Sequence, residues 1–291
     1  MADAPALVAS VVIPTRNRPE LLAEAISDLS AQDLGRDRYE IIVVDDGSDR
    51  VATVPGGIRL IRTAHRGVSA ARNIGAREAA AELVCFVDDD VSVPPQWLRE
   101  LVLGAERFPE ALCFGGPIRV RMEARTGGWL CRYCAGATRG ESELELDAPE
   151  GVIGSHVNGG NMGIRKRALA EAGAFDESVP AYGEETEWED RLRAAGGQIV
   201  YLPEAWLWHR RTAEHLRFRS RLTRSFRGGL GNGYYARSIG DEATVGARDV
   251  LLSAAHVARR RCKGGLLHAS YQAGFVTGRI RFAARTRRTR I

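Results

Sequence analysis

The run Leu83-Val84-Cys85-Phe86-Val87, closed by Asp88-Asp89-Asp90, is the most informative stretch of the 291-residue chain. Five apolar residues without alternation read as a short strand covered on both faces, as in a sheet with helices on either side. Three carboxylates directly after it repel one another, so unpaired they would raise their own pKa values and destabilise the fold. A divalent cation resolves that conflict, and hard oxygen ligands suit Mg²⁺ or Mn²⁺. In isolation, an exposed acidic turn would look the same.

Moving outward, short apolar runs alternate with helical patterns. Val8–Pro14 is a strand that ends in Pro14-Thr15-Arg16-Asn17, followed by a helix over Pro19–Gln32 with Leu21, Leu22, Ala25, Ile26 and Leu29 on one face. Tyr39–Asp45 is a second strand, ending in Asp45-Asp46-Gly47-Ser48, and Ile58–Arg62 a third. Gly67–Ala81 is an Ala-rich helix, and Pro95–Phe108 a helix with Pro at its start. This alternation predicts an α/β fold with a mostly parallel sheet flanked by helices. Ligands then belong at the carboxyl ends of the strands, where the loops converge.

Further on, Ala111–Val120 reads as one strand and Arg121–Val157 as a long insertion. Helices are predicted at Arg165–Ala172 and Glu184–Ala195, with a strand at Gln198–Leu202. Beyond His209 the pattern is helical and Arg-rich, interrupted by a glycine break at Gly228–Gly233. A boundary near residue 210 divides an α/β domain (1–210) from a basic helical region (211–291).

Composition narrows the function classes. With 44% hydrophobic and 27% charged residues, the chain is not mainly disordered. No run of about 18 apolar residues predicts a transmembrane helix, and Met1–Ser10 lacks the basic start of a secretory signal. Five cysteines do not form a disulfide framework and fit a reducing cytoplasm. Cys131 and Cys134 have no second pair with which to hold zinc, and are read as structural or incidental. Charge is split: residues 205–291 hold 19 Lys and Arg against 4 Asp and Glu, whereas the rest holds 22 against 33. Such a basic end can face an anionic membrane, a phosphorylated substrate or nucleic acid. It lacks interleaved aromatics at regular spacing and matches no zinc-finger, RRM or helix-turn-helix signature, so nucleic acid is not expected. Arg217, Arg219, Arg221, Arg224 and Arg227, beside Leu216, Phe218, Leu222 and Phe226, suggest either an interfacial helix near anionic lipid or a helix docked on the acidic body.

The strand-end motifs, with Gly67-Val68-Ser69-Ala70-Ala71-Arg72-Asn73-Ile74-Gly75 and Gly183-Glu184-Glu185-Thr186-Glu187-Trp188, occur in an order that resembles family-2 glycosyltransferases of the GT-A fold. The resemblance runs from about Ser10 to His209 and lapses over Arg121–Val157. It implies transfer of one sugar, with inversion, from a nucleoside diphosphate sugar (UDP expected) to an acceptor hydroxyl or amine. It puts Asp88 and Asp90 of a DxD motif on Mn²⁺ or Mg²⁺, His209 as a third ligand, and Asp89 within reach of sugar or metal. Pro14, Thr15, Arg16 and Asp46 fall in the nucleotide pocket, with Asp46 on the uracil imide, a role compatible with an Asx-type turn formed by Asp46 and Ser48. Arg72 and Asn73 fall near the diphosphate or ribose, where a guanidinium suits phosphate oxygens, and Gly160 and Asn161 beside the sugar. Trp188 can stack on a sugar or sit in the core. Glu185 stands where the family usually has a catalytic Asp, with Glu184 as its substitute and Glu187 a weaker one. The Gln-x-x-Arg-Trp motif of processive synthases is absent, so single-sugar transfer is expected. A nucleotidyltransferase would want a Gly-rich, Lys-containing phosphate loop where Pro14-Thr15-Arg16-Asn17 stands. A non-catalytic nucleotide- or nucleic-acid-binding protein is the remaining alternative.

Overall fold

The computed structural model describes residues 7–124, 144–146, 148–179, 182–241, 247–260 and 262–288. Cys131, Cys134 and most of the expected insertion lie outside them. The chain divides into two compact units, one drawn from 1–120, 142–177 and 185–210, the other from 121–141, 178–184 and 211–291.

The first unit is built on an eight-stranded sheet. Its strands are β1 (Ala9–Thr15), β2 (Tyr39–Asp46), β3 (Arg59–Thr63), β4 (Leu83–Val87), β6 (Cys113–Gly115), β8 (Gly151–Val152), β9 (Asn161–Arg165) and β10 (Ile199–Tyr201), in the order β3-β2-β1-β4-β9-β6-β10-β8. The first four run parallel, so β1, β2 and β4 end side by side. Strand β9 inserts antiparallel between β4 and β6. Helices α1 (Pro19–Ser30), α2 (Val68–Glu78) and α3 (Trp97–Arg107) connect and cover the strands, followed by α4 (Lys166–Ala172) and α5 (Glu184–Ala194).

Alternate residues of each central strand enter different cores. Val11, Ile13, Ile41, Val43, Cys85 and Val87 pack with Leu22, Leu29, Trp97 and Leu101. Val12, Ile42, Val44, Val84 and Phe86 pack with Ala71, Met162, Phe175 and Trp188. Burial on both faces is why these strands read as unbroken apolar runs.

The single strand expected over Ala111–Val120 is two strands. β6 stops at Gly115, and after Gly116-Pro117 the chain leaves as β7 (Ile118–Met122) for a three-stranded sheet ordered β5-β11-β7. The other members are β5 (Val91–Ser92) and β11 (Leu207–Arg211). A Gly-Pro step cannot carry a central strand onward, because Pro donates no ladder hydrogen bond.

The second unit contains α6 (Phe218–Ser238), α7 (Ala247–Arg260) and α8 (Gly264–Arg288). The glycine break expected at Gly228–Gly233 does not occur, and α6 runs straight through it. A Cβ on Gly229 would lie 1.9 Å from the Tyr271 carbonyl oxygen, and one on Gly233 2.0 Å from that of Phe275. Reciprocally, Gly274 and Gly278 of α8 have the Phe226 and Leu230 carbonyl oxygens at 2.0 and 2.1 Å from where a Cβ would stand. Two glycines four residues apart on each helix thus let the backbones touch, which offsets their helix-propensity cost of about 1 kcal/mol each.

Candidate active site

The acidic triplet follows β4 at the end of the sheet where β1 and β2 also finish. Directly after it, β5 pairs antiparallel with β11, setting Trp208 opposite Ser92 and His209 opposite Val91. The Arg210 N–H also donates to the Asp90 carbonyl at 2.9 Å. This short pairing carries His209 across more than a hundred residues of sequence to the triplet. Its Nε2 stands 3.5 Å from Asp90 Oδ1, and one ligand atom each from Asp88, Asp90 and His209 all lie within 4.8 Å of one another.

Electrostatically the cluster is frustrated. Burial pushes the Asp88 carboxyl up, against the pull of Arg72, and the Asp90 charge adds to the rise. Asp89 is pushed up to about 6, first by burial and then by Asp90, with Arg18 and Thr15 opposing. The guanidinium of Arg72 is buried, 3.6 Å from Asp88 Oδ1. A Cβ on Gly160 would stand 2.6 Å from Asp88 Oδ2, and one on Gly159 2.7 Å from the Arg72 guanidinium. The Gly159-Gly160 backbone therefore passes directly against both functional groups, which only glycine permits.

The middle carboxylate is spent on the protein. Asp89 accepts from Thr15 Oγ1 at 2.8 Å and from Arg18 Nη1 at 2.8 Å, and Arg18 reaches Asp90 Oδ2 at 3.2 Å. Asp89 thus ties the loop after β4 to the end of β1 through Thr15 and to the loop that follows it through Arg18. Burial works against the Arg18 charge, but Asp89, Asp90 and Asp88 together hold it protonated more firmly than usual. Arg18 went unnoticed in the sequence, although three adjacent carboxylates call for a cation nearby.

Asp45, not Asp46, closes the Asx-type turn, accepting the Ser48 N–H at 2.8 Å and the Ala52 N–H at 3.0 Å. Asp46 accepts from His65 Nδ1 at 2.7 Å and from the N–H groups of Arg66 and Gly67 at 2.8 and 2.9 Å. His65 also had no part in the sequence reading. Pro14 is half-buried in β1, and the exposed Arg16 donates through Nε to the Gly47 carbonyl at 3.4 Å. Asn73, expected beside the nucleotide, bonds both ways with the Phe175 peptide at 2.9 Å, joining α2 to the loop after α4.

Two expectations are corrected. Asn161 is fully buried: its Oδ1 accepts from Trp97 Nε1 at 2.7 Å, and its Nδ2 donates to the Pro117 and Ala205 carbonyls at 3.1 and 2.8 Å. Its side chain cross-links the core instead of touching a sugar. Trp188 is likewise fully buried against Phe175, with Nε1 donating to the Gly173 carbonyl at 2.8 Å, so neither ring face is open for stacking.

The acids at the start of α5 differ sharply. Glu184 is buried and Glu185 half-buried. Glu187 is paired with Arg191 at 2.7 Å. Four residues beyond Glu185 on the same helix face, Glu189 is fully buried and accepts the Val157 N–H at 3.2 Å. Its other oxygen has no hydrogen-bond partner among the described residues. Burial first, and then the neighbouring Glu185, push the Glu189 carboxyl well above the usual range. No local pattern points to Glu189, because its burial depends on the distant segment that carries Val157.

The sheet order and the carboxylate cluster define a class. The fold is that of GT-A glycosyltransferases: the structure is similar to the crystal structure of GalNAc-T7 with UDP, GalNAc and Mn²⁺, with a TM-score of 0.58, 17% identity, and coverage of 79% of this chain and 50% of that one. Residues 10–173 match glycosyl transferase family 2, and the chain belongs to that family. Among curated relatives, it is 28% identical over 207 residues to the succinoglycan biosynthesis protein ExoM of Rhizobium meliloti (strain 1021), covering 66% of this chain and 63% of the relative. It is 29% identical over 212 residues to the pre-mycofactocin glycosyltransferase of Mycobacterium tuberculosis (strain ATCC 25618 / H37Rv), covering 69% of this chain and 42% of the relative. The matches therefore span less than two thirds of either relative's length.

Proposed function

We propose that the protein transfers a single sugar, with inversion, from a nucleoside diphosphate sugar (UDP-linked by preference) to a hydroxyl or amine acceptor. The observation that carries this reading is the convergence of Asp88, Asp90 and His209 beside the buried Arg72 in a family-2 chain. Two carboxylates and an imidazole suit Mn²⁺ or Mg²⁺, and the burial that raises Asp88 is what a bound cation would relieve. Once bound, such an ion supplies Lewis-acid stabilisation of the charge on the departing diphosphate.

The remaining roles fall to the chain itself. Arg72, held under Gly159, offers its guanidinium to phosphate oxygens. Asp46 has about four lone-pair sites in all, of which three are taken by His65, Arg66 and Gly67; the last accepts the uracil imide N–H. Pro14 and Arg16 border the same pocket. Glu185, with Glu184 as the alternative, takes the acceptor proton as the acceptor oxygen or nitrogen attacks the anomeric carbon and the bond to the diphosphate breaks. One turn on from Glu185, burial holds the Glu189 carboxyl well above its usual range despite the Arg193 guanidinium 3.8 Å away, which disfavours a second buried charge beside Glu185. A cytoplasmic location is part of this reading, in keeping with a chain that has only five cysteines.

The test is a donor-hydrolysis screen across UDP-, GDP- and dTDP-sugars, with Mn²⁺ and with EDTA. A UDP-sugar should be turned over only with the ion. Glu185→Gln should then lower turnover by ~10²–10⁴ with donor affinity nearly unchanged. If Glu184→Gln abolishes turnover while Glu185→Gln is normal, the base is Glu184. Turnover undiminished in EDTA removes the cation from the reading.

A further inference from the structure

Residues 250–291 carry ten Lys and Arg and no Asp or Glu. The helices formed there also expose large aliphatic side chains: Leu251 (68%), Leu252 (58%), Leu266 (42%), Val276 (42%) and Ile280 (64%). On α8 the spacing of Leu266, Ala273, Val276 and Ile280 places them along one stripe. Packing partners occupy the other faces of that helix. Gly274 and Gly278 meet α6, while Gly265 meets Ser253 and Val257 of α7, and Gln272 lies 3.5 Å from the Ser253 hydroxyl. The aliphatic stripe is therefore a face left over after the helices have packed, and Arg259, Lys263 and Arg281 of the same stretch of chain are exposed as well.

We propose that α7 and α8 form a docking surface for an anionic lipid bilayer. Aliphatic side chains flanked by Arg and Lys suit the boundary between headgroups and acyl chains, where the apolar groups insert and the cations stay with the lipid phosphates. A second copy of this chain fits less well, since it would set ten positive charges against ten more. Insertion is shallow: no helix among the described residues is long and apolar enough to cross a membrane. This surface differs from the one suggested by the sequence around Arg217–Arg227. There Leu216 and Arg221 are buried, and the Phe226 carbonyl abuts Gly274, so part of that stretch is taken up by packing against α8.

The experiment is cosedimentation of the full chain with vesicles of phosphatidylcholine alone, or with about one-third phosphatidylserine. Binding should be at least ~10-fold tighter to the anionic vesicles and weaken with salt. The double variant Leu251→Gln, Ile280→Gln keeps every charge and alters only exposed positions. It should bind ~10-fold or more weakly, with unchanged melting temperature and unchanged UDP affinity, so that the result stands apart from the catalytic reading. Failure to bind anionic vesicles overturns the proposal, as does a double variant that binds like wild type. A dimer seen by analytical ultracentrifugation and lost in the double variant, without vesicle binding, would assign the face to a second copy. Retained binding to DNA or RNA without vesicle binding would assign the charge to nucleic acid. Either result overturns the lipid assignment.

Discussion

Gly160 in the α/β unit and Gly274 in the helical unit are both places where a Cβ does not fit, but what it would strike differs. At Gly160 it meets the Asp88 carboxylate at 2.6 Å, whereas at Gly274 it meets the Phe226 backbone carbonyl at 2.0 Å. The first close approach brings main chain up to a functional group. The second brings main chain up to main chain. A side-chain carboxylate can swing aside with little loss of stability, but a helix backbone cannot, so the first contact is expected to bear on the proposed chemistry and the second on folding.

Gly274→Ala is the sharpest way to break this contrast. Helix propensity alone forecasts a gain of about 1 kcal/mol. The packing forecasts a loss of about 1–3 kcal/mol, because α6 and α8 must separate. Urea unfolding followed by circular dichroism decides, and a stabilised variant would refute the glycine-mediated contact. Gly160→Ala should do the reverse, weakening Mn²⁺ affinity by ~10–100-fold through displaced Asp88 while leaving the melting temperature close to wild type. A large fall in melting temperature with normal Mn²⁺ affinity would place Gly160 with the structural glycines.

A pH-dependent effect is expected at Glu189. Its folded pKa lies above its unfolded value, so its contribution to stability is complete below the unfolded pKa, near 4, and declines as pH rises toward the folded one. Across that window wild type should lose up to about 1.4 kcal/mol per pH unit at this site. Glu189→Gln removes the titration, so its stability relative to wild type should rise between pH 5 and pH 8, as read by thermal melts. A constant difference across pH would mean that Glu189 is not held neutral.

Much of the α/β unit was readable because strands buried on both faces leave continuous apolar runs, and because the helices beside them repeat Leu22, Ile26 and Leu29 on one side. Grouping Asp88, Asp90 and His209 depended on the family-like order of motifs. The pairing that joins them runs through the two-residue strand Val91–Ser92, too short to leave any periodicity. Arg18 escaped notice because its partners lie on β4's loop, 71 and 72 positions away. Asn161 and Trp188 have side chains that suit a sugar equally well, and only the surrounding Trp97, Pro117, Ala205 and Phe175 show that they are enclosed. The glycines of α6 misled for a physical reason: local propensity counts them as breakers, whereas their role is set by a helix some 40 residues further on.

The central claim is that Asp88, Asp90 and His209 act on a nucleotide through a divalent cation. Calorimetry of UDP with wild type and Asp90→Asn, each with Mn²⁺ and with EDTA, tests it most directly. Wild type should bind UDP at least ~10-fold more tightly with Mn²⁺, equivalent to about 1.4 kcal/mol, and Asp90→Asn should bind it equally in both conditions. An Asp90→Asn protein that keeps the full Mn²⁺ enhancement, or a wild type that shows none, would contradict the account.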